Sequence, residues 1–320
     1  MSEEAFAHVA DGVDICYQTF GSADGDPLLL VMGLGGPMTW WDERLCRLLA
    51  DDGFYVIRYD NRDIGHSSRV DGPVSMGRLT RAFLGLRVRP TYTLDDMARD
   101  AFGLLDHLGI SAAHVWGVSM GGMIAQTMAV TRPERVLSLT SMMSSTGARS
   151  VGYQHPTLLP IFLTRSGDRE GYVEASVRTW KIIGSPGYPV DEDDVRRRAA
   201  ETFDRGVSPH GTGRQILAVL SQPNRTRDLR GVGVPTLVIH GLADKMIHVS
   251  GGRATSLAIP QSELLLIDGL GHDIPEGLWP TLVRAVRRNA DRAARSHSER
   301  PEKSRRTHRE VNPSGRNQTD

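Results

Sequence analysis

His114-Val115-Trp116-Gly117-Val118-Ser119-Met120-Gly121-Gly122-Met123 carries the strongest structural signal in this 320-residue chain. His114 to Val118 reads as a buried strand and Met120 to Val130 as a helix. At their junction, Gly117-Val118-Ser119-Met120-Gly121 fits G-x-S-x-G, a serine on a sharp strand-to-helix turn whose crowding is relieved by glycine. Such a turn exposes the Ser119 hydroxyl at the carboxyl end of a sheet. It also sets the Met120 amide at the positive end of a helix, where it suits an oxyanion. The plain alternative is a Gly-rich helix start with an incidental serine, and the loops elsewhere in the chain argue against it.

On either side of this turn the pattern is regular. Residues 5–20 alternate as two strands around the turn Asp11-Gly12. Pro27 introduces Leu28-Leu29-Leu30-Val31-Met32, a continuous apolar run expected of a strand buried on both faces. Thr39 to Leu49 reads as a helix and Phe54 to Tyr59 as a second buried strand. Thr93 with Asp96 resembles a capping box opening a helix through Leu108, and Val136 to Met143 closes the first half. Strands alternating with helices predict an α/β fold, a mostly parallel sheet flanked by helices. Between about 146 and 230 only helical patterns occur, punctuated by proline; the rhythm returns with Pro235 to His240 and Glu263 to Ile267. The expected organisation is a core of residues 1–145 and 231–295 with a helical cap of residues 146–230. Residues 296–320 are too polar to offset their ordering entropy and read as a disordered basic tail.

A serine hydroxyl needs a base, and the base an orienting acid, in the chain order Ser, Asp or Glu, His for this turn. His272 follows the last expected strand, and Asp244 follows the strand ending at His240, so both share the sheet edge of Ser119. Asp244 would accept from Nδ1–H of His272, leaving Nε2 to take the Ser119 proton. Asp268 ends a strand and Asp273 adjoins the ring, which disfavours both; Ser141 to Thr146 holds no acid. His66, His240 and His248 are the other histidines considered for the pocket. The second oxyanion donor is expected in Met32-Gly33-Leu34-Gly35-Gly36, at the Leu34 amide, since glycine lets backbone approach a ligand closely. Gly33, Gly35 and Trp180 are the candidate substrate contacts. Phe162, Tyr172 and Tyr188 join Trp180 as aromatic residues of the cap, and Arg81 to Leu86 is a candidate further flap.

Composition narrows the rest. A hydrophobic fraction of 39%, a charged fraction of 24% and zero net charge point to an ordinary globular protein and not to nucleic acid or an acidic membrane as partner. The balance is uneven, since residues 284–320 hold eleven Lys and Arg against five Asp and Glu. The two cysteines, Cys16 and Cys46, read as free thiols of a reducing compartment, with a disulfide between them as the alternative. No secretory signal or membrane-length apolar run is visible, so a cytoplasmic location is expected.

The ensemble resembles the α/β-hydrolase superfamily, in particular its branch of aclacinomycin methylesterase-like proteins and actinobacterial esterases and lipases. The resemblance rests on Val31 to Gly36 with Trp40-Trp41, Arg58-Tyr59-Asp60-Asn61-Arg62-Asp63-Ile64-Gly65-His66-Ser67, Tyr92 to Ala98, the Ser119 turn, and the Asp244 and His272 loops. It covers residues 5–290. It implies an ester hydrolase with a helical cap and gives the Asp60–Ser67 stretch a structural role. Met32 stands where many relatives carry His, and Lys245 where proline commonly follows the acid.

The expected chemistry is acyl transfer from a small or medium hydrophobic ester through Ser119, His272 and Asp244, with no metal or organic cofactor required. The same three residues would also serve a thioesterase, lipase, lactonase or perhydrolase, and a ligand receptor using the cap pocket is the non-enzymatic rival. Oligomeric state is not legible.

Overall fold

The computed structural model describes residues 1–158 and 168–298. Eight strands form one sheet: β1 (Ala5–Ala10), β2 (Val13–Phe20), β3 (Asp26–Val31), β4 (Phe54–Tyr59), β5 (Ala113–Val118), β6 (Val136–Met142), β7 (Thr236–Gly241) and β8 (Glu263–Ile267). Their order is β1-β2-β4-β3-β5-β6-β7-β8. The β1–β2 hairpin and the β2–β4 pair are antiparallel, and the other pairs are parallel.

β3 explains why its sequence is apolar throughout. Leu28 and Leu30 point into one core and Leu29 and Val31 into the other, and all four are fully buried. Each such side chain contributes roughly 1.5–3 kcal/mol of transfer free energy, so a polar residue at any of the four would be costly. One face is covered by α3 (Leu94–His107) and α4 (Met120–Thr131). The other is covered by α1 (Glu43–Asp51) and the last helix, Trp279–Ser298.

Local signals set the helix starts. Asp42 caps α1 by accepting from the Arg44 amide at 2.9 Å, and Leu45, Cys46 and Leu49 form its buried stripe. The single helix expected over Thr39 to Leu49 is therefore two pieces. Met38–Trp40 makes one 3₁₀ turn, and the extended backbone of the Asp42 cap separates it from α1. Thr93 and Asp96 make the expected capping box, with each side chain bonded to the other residue's amide, at 3.2 and 2.8 Å. An unanticipated helix, α2 (Met76–Phe83), carries the first part of the candidate flap.

Between β6 and β7 the described residues form α5 (Arg169–Ile183), α6 (Glu192–Asp204), α7 (Pro209–Ser221) and α8 (Thr226–Leu229). Two buried ion pairs seat them on the loop after β4. Arg205 reaches Asp60 Oδ2 at 2.7 Å, and Arg214 grips both oxygens of Asp63 at 2.7 and 2.8 Å. Met38 and His66 donate their amides to Asp60, and Tyr92 donates its hydroxyl to Asp63, so neither carboxylate is left with unmet acceptors. After β7 come α9 (Ser250–Ala258) and, past β8, α10 (Trp279–Ser298). Helix α10 runs past the expected start of the tail at Ser296; residues 299–320 lie outside the described residues. Cys16 and Cys46 are buried and unpaired, and burial pushes both thiols up to about 12. Among the described residues no helix is long and apolar enough to cross a membrane.

Candidate active site

Ser119 sits between β5 and α4 with φ 56° and ψ −121°, a left-handed backbone conformation that L residues rarely adopt. Tight packing holds it there. A Cβ on Gly117 would lie 2.1 Å from the Gly121 carbonyl oxygen, and one on Gly121 would lie 2.0 Å from that of Val31. The Ser119 amide donates to the Met142 carbonyl at 2.9 Å, and the Ser144 hydroxyl donates to the Ser119 carbonyl at 2.8 Å. The turn is thus fastened to β6 on one side and crowded by β3 on the other.

His272 arrives from the loop after β8. Its Nε2 is 3.0 Å from Ser119 Oγ, and its Nδ1 is 2.8 Å from Asp244 Oδ2. Asp244, in the loop after β7, is buried and accepts the Met246 and Ile247 amides on Oδ1 at 2.8 and 2.9 Å. Burial by itself would raise its pKa. The facing His272 and His240 and the hydrogen bonds outweigh that, and the carboxyl is held well below the usual carboxylate range. The three side chains nominated by chain order therefore form a hydrogen-bonded chain, Asp244 to His272 to Ser119, although Ser119 and His272 are 153 residues apart.

A cavity of about 790 Å³ opens over Ser119 and His272. Gly33, Leu34 and Gly35 line it, as does Trp180 from α5, whose ring meets Trp40 edge-on at 5.7 Å. Gly33 passes so close to the serine that a Cβ there would lie 3.1 Å from Ser119 Cβ. The amide of Gly35 is taken up by Gln215 Oε1 at 3.0 Å and that of Gly36 by the Gly33 carbonyl at 3.3 Å. Met120 is the first residue of α4, where an amide has no carbonyl one turn earlier to bond.

Other expectations separate. Tyr172 lines the cavity, Tyr188 lines a smaller neighbouring hollow beside Trp279, and Phe162 lies outside the described residues. His66 pairs with Glu4, and His248 stacks on Tyr153 at 4.4 Å, so neither lines the cavity. His240 is buried behind the acid. Its Nε2 lies 2.8 Å from the Ile247 carbonyl and 3.5 Å from Asp244 Oδ2. Asp273 accepts from the Ser185 hydroxyl and lines the cavity together with His272.

Two contributors had no distinctive sequence signal. Gln215 of α7 holds the Gly35 amide while donating to the Arg62 carbonyl at 3.0 Å, which fixes the glycine loop. Ser185 accepts the Gly271 amide at 2.8 Å, and the His272 amide donates to the Ile183 carbonyl at 2.7 Å, so the histidine loop is pinned from above.

Comparison with known proteins agrees with this architecture. Residues 26–276 match the family described as alpha/beta hydrolase fold. The chain is 29% identical over 306 residues to rhodomycin D methylesterase DauP of Streptomyces sp. (strain C5), covering 86% of this chain and 94% of that protein. It is 30% identical over 305 residues to rhodomycin D methylesterase DnrP of Streptomyces peucetius, with the same coverage. The crystal structure of the enol-lactonase from Burkholderia xenovorans LB400 superposes with a TM-score of 0.69 at 20% identity, covering 89% of this chain and 99% of that one. With the sheet order, the serine turn and a match across most of its length in agreement, the chain belongs to the α/β hydrolase family.

Proposed function

We propose that this protein hydrolyses carboxylic esters of small or medium hydrophobic substrates by a two-step acyl transfer. The observation that carries the reading is the bonded line from Asp244 through His272 to Ser119, at 2.8 and 3.0 Å, whose last two members line the cavity. His272 Nε2 takes the proton as Ser119 Oγ attacks the ester carbonyl. The amides of Leu34 and Met120 hold the oxyanion. His272 then protonates the departing alkoxide, and water, activated by the same nitrogen, releases the acid and restores the serine. The relatives described as methylesterases support an ester as the bond cleaved. The apolar lining, including Met32, Trp40, Val118 and Trp180, supports a hydrophobic substrate.

In this reading residues 146–230 act as the cap over a core of residues 1–145 and 231–295. The unpaired thiols favour a reducing compartment, in keeping with a cytoplasmic location.

A fluorophosphonate probe and a p-nitrophenyl short-chain ester test the proposal together. The native protein should be labelled and turn over the ester; Ser119→Ala should lose both while its thermal unfolding stays close to the parent's. Turnover surviving in Ser119→Ala would refute the mechanism, and a native protein that neither labels nor turns over would favour a ligand receptor.

A further inference from the structure

Helix α2 and the turn after it present an apolar surface that no other part of the described chain covers. Met76, Phe83, Leu84 and Leu86 are 61%, 65%, 66% and 50% exposed. Met76, Thr80, Phe83 and Leu84 follow the i, i+4, i+7, i+8 spacing of one helix face, whereas Ala82, on the other side, is buried. That inner side packs against α7. The exposed face is held out rather than loose. Arg149 donates to the Ala82 and Phe83 carbonyls at 2.7 and 2.9 Å, and Arg78 donates to the Arg89 carbonyl.

The stretch of chain that forms this face, between Asp71 and Asp95, carries charge of one sign. Residues 73–94 contain Arg78, Arg81, Arg87 and Arg89 and no Asp or Glu. Arg81, Arg87 and Arg89 are exposed beside the apolar side chains. Apolar side chains rimmed by arginine, on a short surface helix, suit an interface whose polar layer is anionic and whose interior is hydrocarbon. We propose that α2 and its following turn dock the protein on an anionic lipid surface. The contact is peripheral: eight helical residues are far too few to span a bilayer. Zero net charge over the whole chain does not oppose it, because attraction at a surface falls off within about 10 Å and is set by local charge. Helix α7, on which α2 rests, also reaches the cavity through Thr212, so a docked membrane lies one helix away from the cavity. This docking does not depend on the hydrolytic reading.

Co-sedimentation of the full chain with phosphatidylcholine vesicles, with and without phosphatidylglycerol, tests the surface. Binding should require phosphatidylglycerol and weaken with added salt. The double variants Phe83→Ser/Leu84→Ser and Arg81→Gln/Arg87→Gln should each bind at least about tenfold more weakly. Their thermal unfolding should match the parent's, since these side chains are exposed. Absence of binding to the anionic vesicles would overturn the proposal. So would native affinity in both variants, or binding lost only on deletion of residues 299–320. A self-associated protein that the Phe83/Leu84 variant dissociates, without vesicle binding, would likewise overturn it in favour of a second copy.

Discussion

At Asp244 the two carboxylate oxygens have different partners, and the difference constrains the imidazole. Oδ1 is committed to the Met246 and Ile247 amides, which leaves Oδ2 to accept from His272 Nδ1. That acceptor keeps the proton on Nδ1 and the lone pair on Nε2 toward Ser119. In Asp244→Asn the carbonyl would stay on the two amides, and the new NH₂ would face Nδ1. The histidine would then carry its proton on Nε2, where it cannot accept from the serine. We expect kcat for an ester substrate to fall by about 10⁴-fold with the fold retained. Activity within about tenfold of the parent would show that the acid is not the orienting group. His240 adds a neighbour that a three-residue description omits, because its ring lies behind the same Oδ2.

Strand β5 illustrates what an element demands of a buried polar side chain. His114 is buried, its Nδ1 2.8 Å from Ser138 Oγ on β6 and its ring edge-on to Phe54. Burial lowers its pKa from 6.5 to about 4. The folded strand therefore keeps a neutral ring at a pH where the unfolded chain binds a proton. Its contribution to stability is complete above about pH 6.5 and is lost as pH falls toward 4, at roughly 1.4 kcal/mol per pH unit within that window. His114→Gln removes the titration. Chemical denaturation should then give a flatter dependence of stability on pH than the parent shows between those limits, and parallel curves would contradict the assignment.

Across the whole molecule, the segment between β6 and β7 is joined to the sheet by charge as well as by apolar contact. Asp63 is fully buried, and Arg214, 151 residues away, supplies its bidentate partner. Arg214→Ala would leave that carboxylate with only Tyr92 and the Val70 amide. Removing one member of a buried pair costs about 3–5 kcal/mol, so denaturation midpoints should fall accordingly. Arg214→Lys should restore only part, since an ammonium cannot match both oxygens. A loss below about 1 kcal/mol would mean that the pair does not hold the segment in place.

The α/β alternation, the serine turn and the order of Ser119, Asp244 and His272 were legible in the residues alone, because each is written in short-range pattern: apolar runs, turn glycines, loops after strands. Helix α2 went unread, since an eight-residue helix with an exposed apolar face carries no core-facing stripe of its own. Strand order, the two arginine anchors, and the parts of Gln215 and Ser185 emerged with the folded chain and not before. They depend on side chains 86 to 180 residues apart meeting in space. Such meetings are fixed by packing of the whole chain, and no local spacing encodes them.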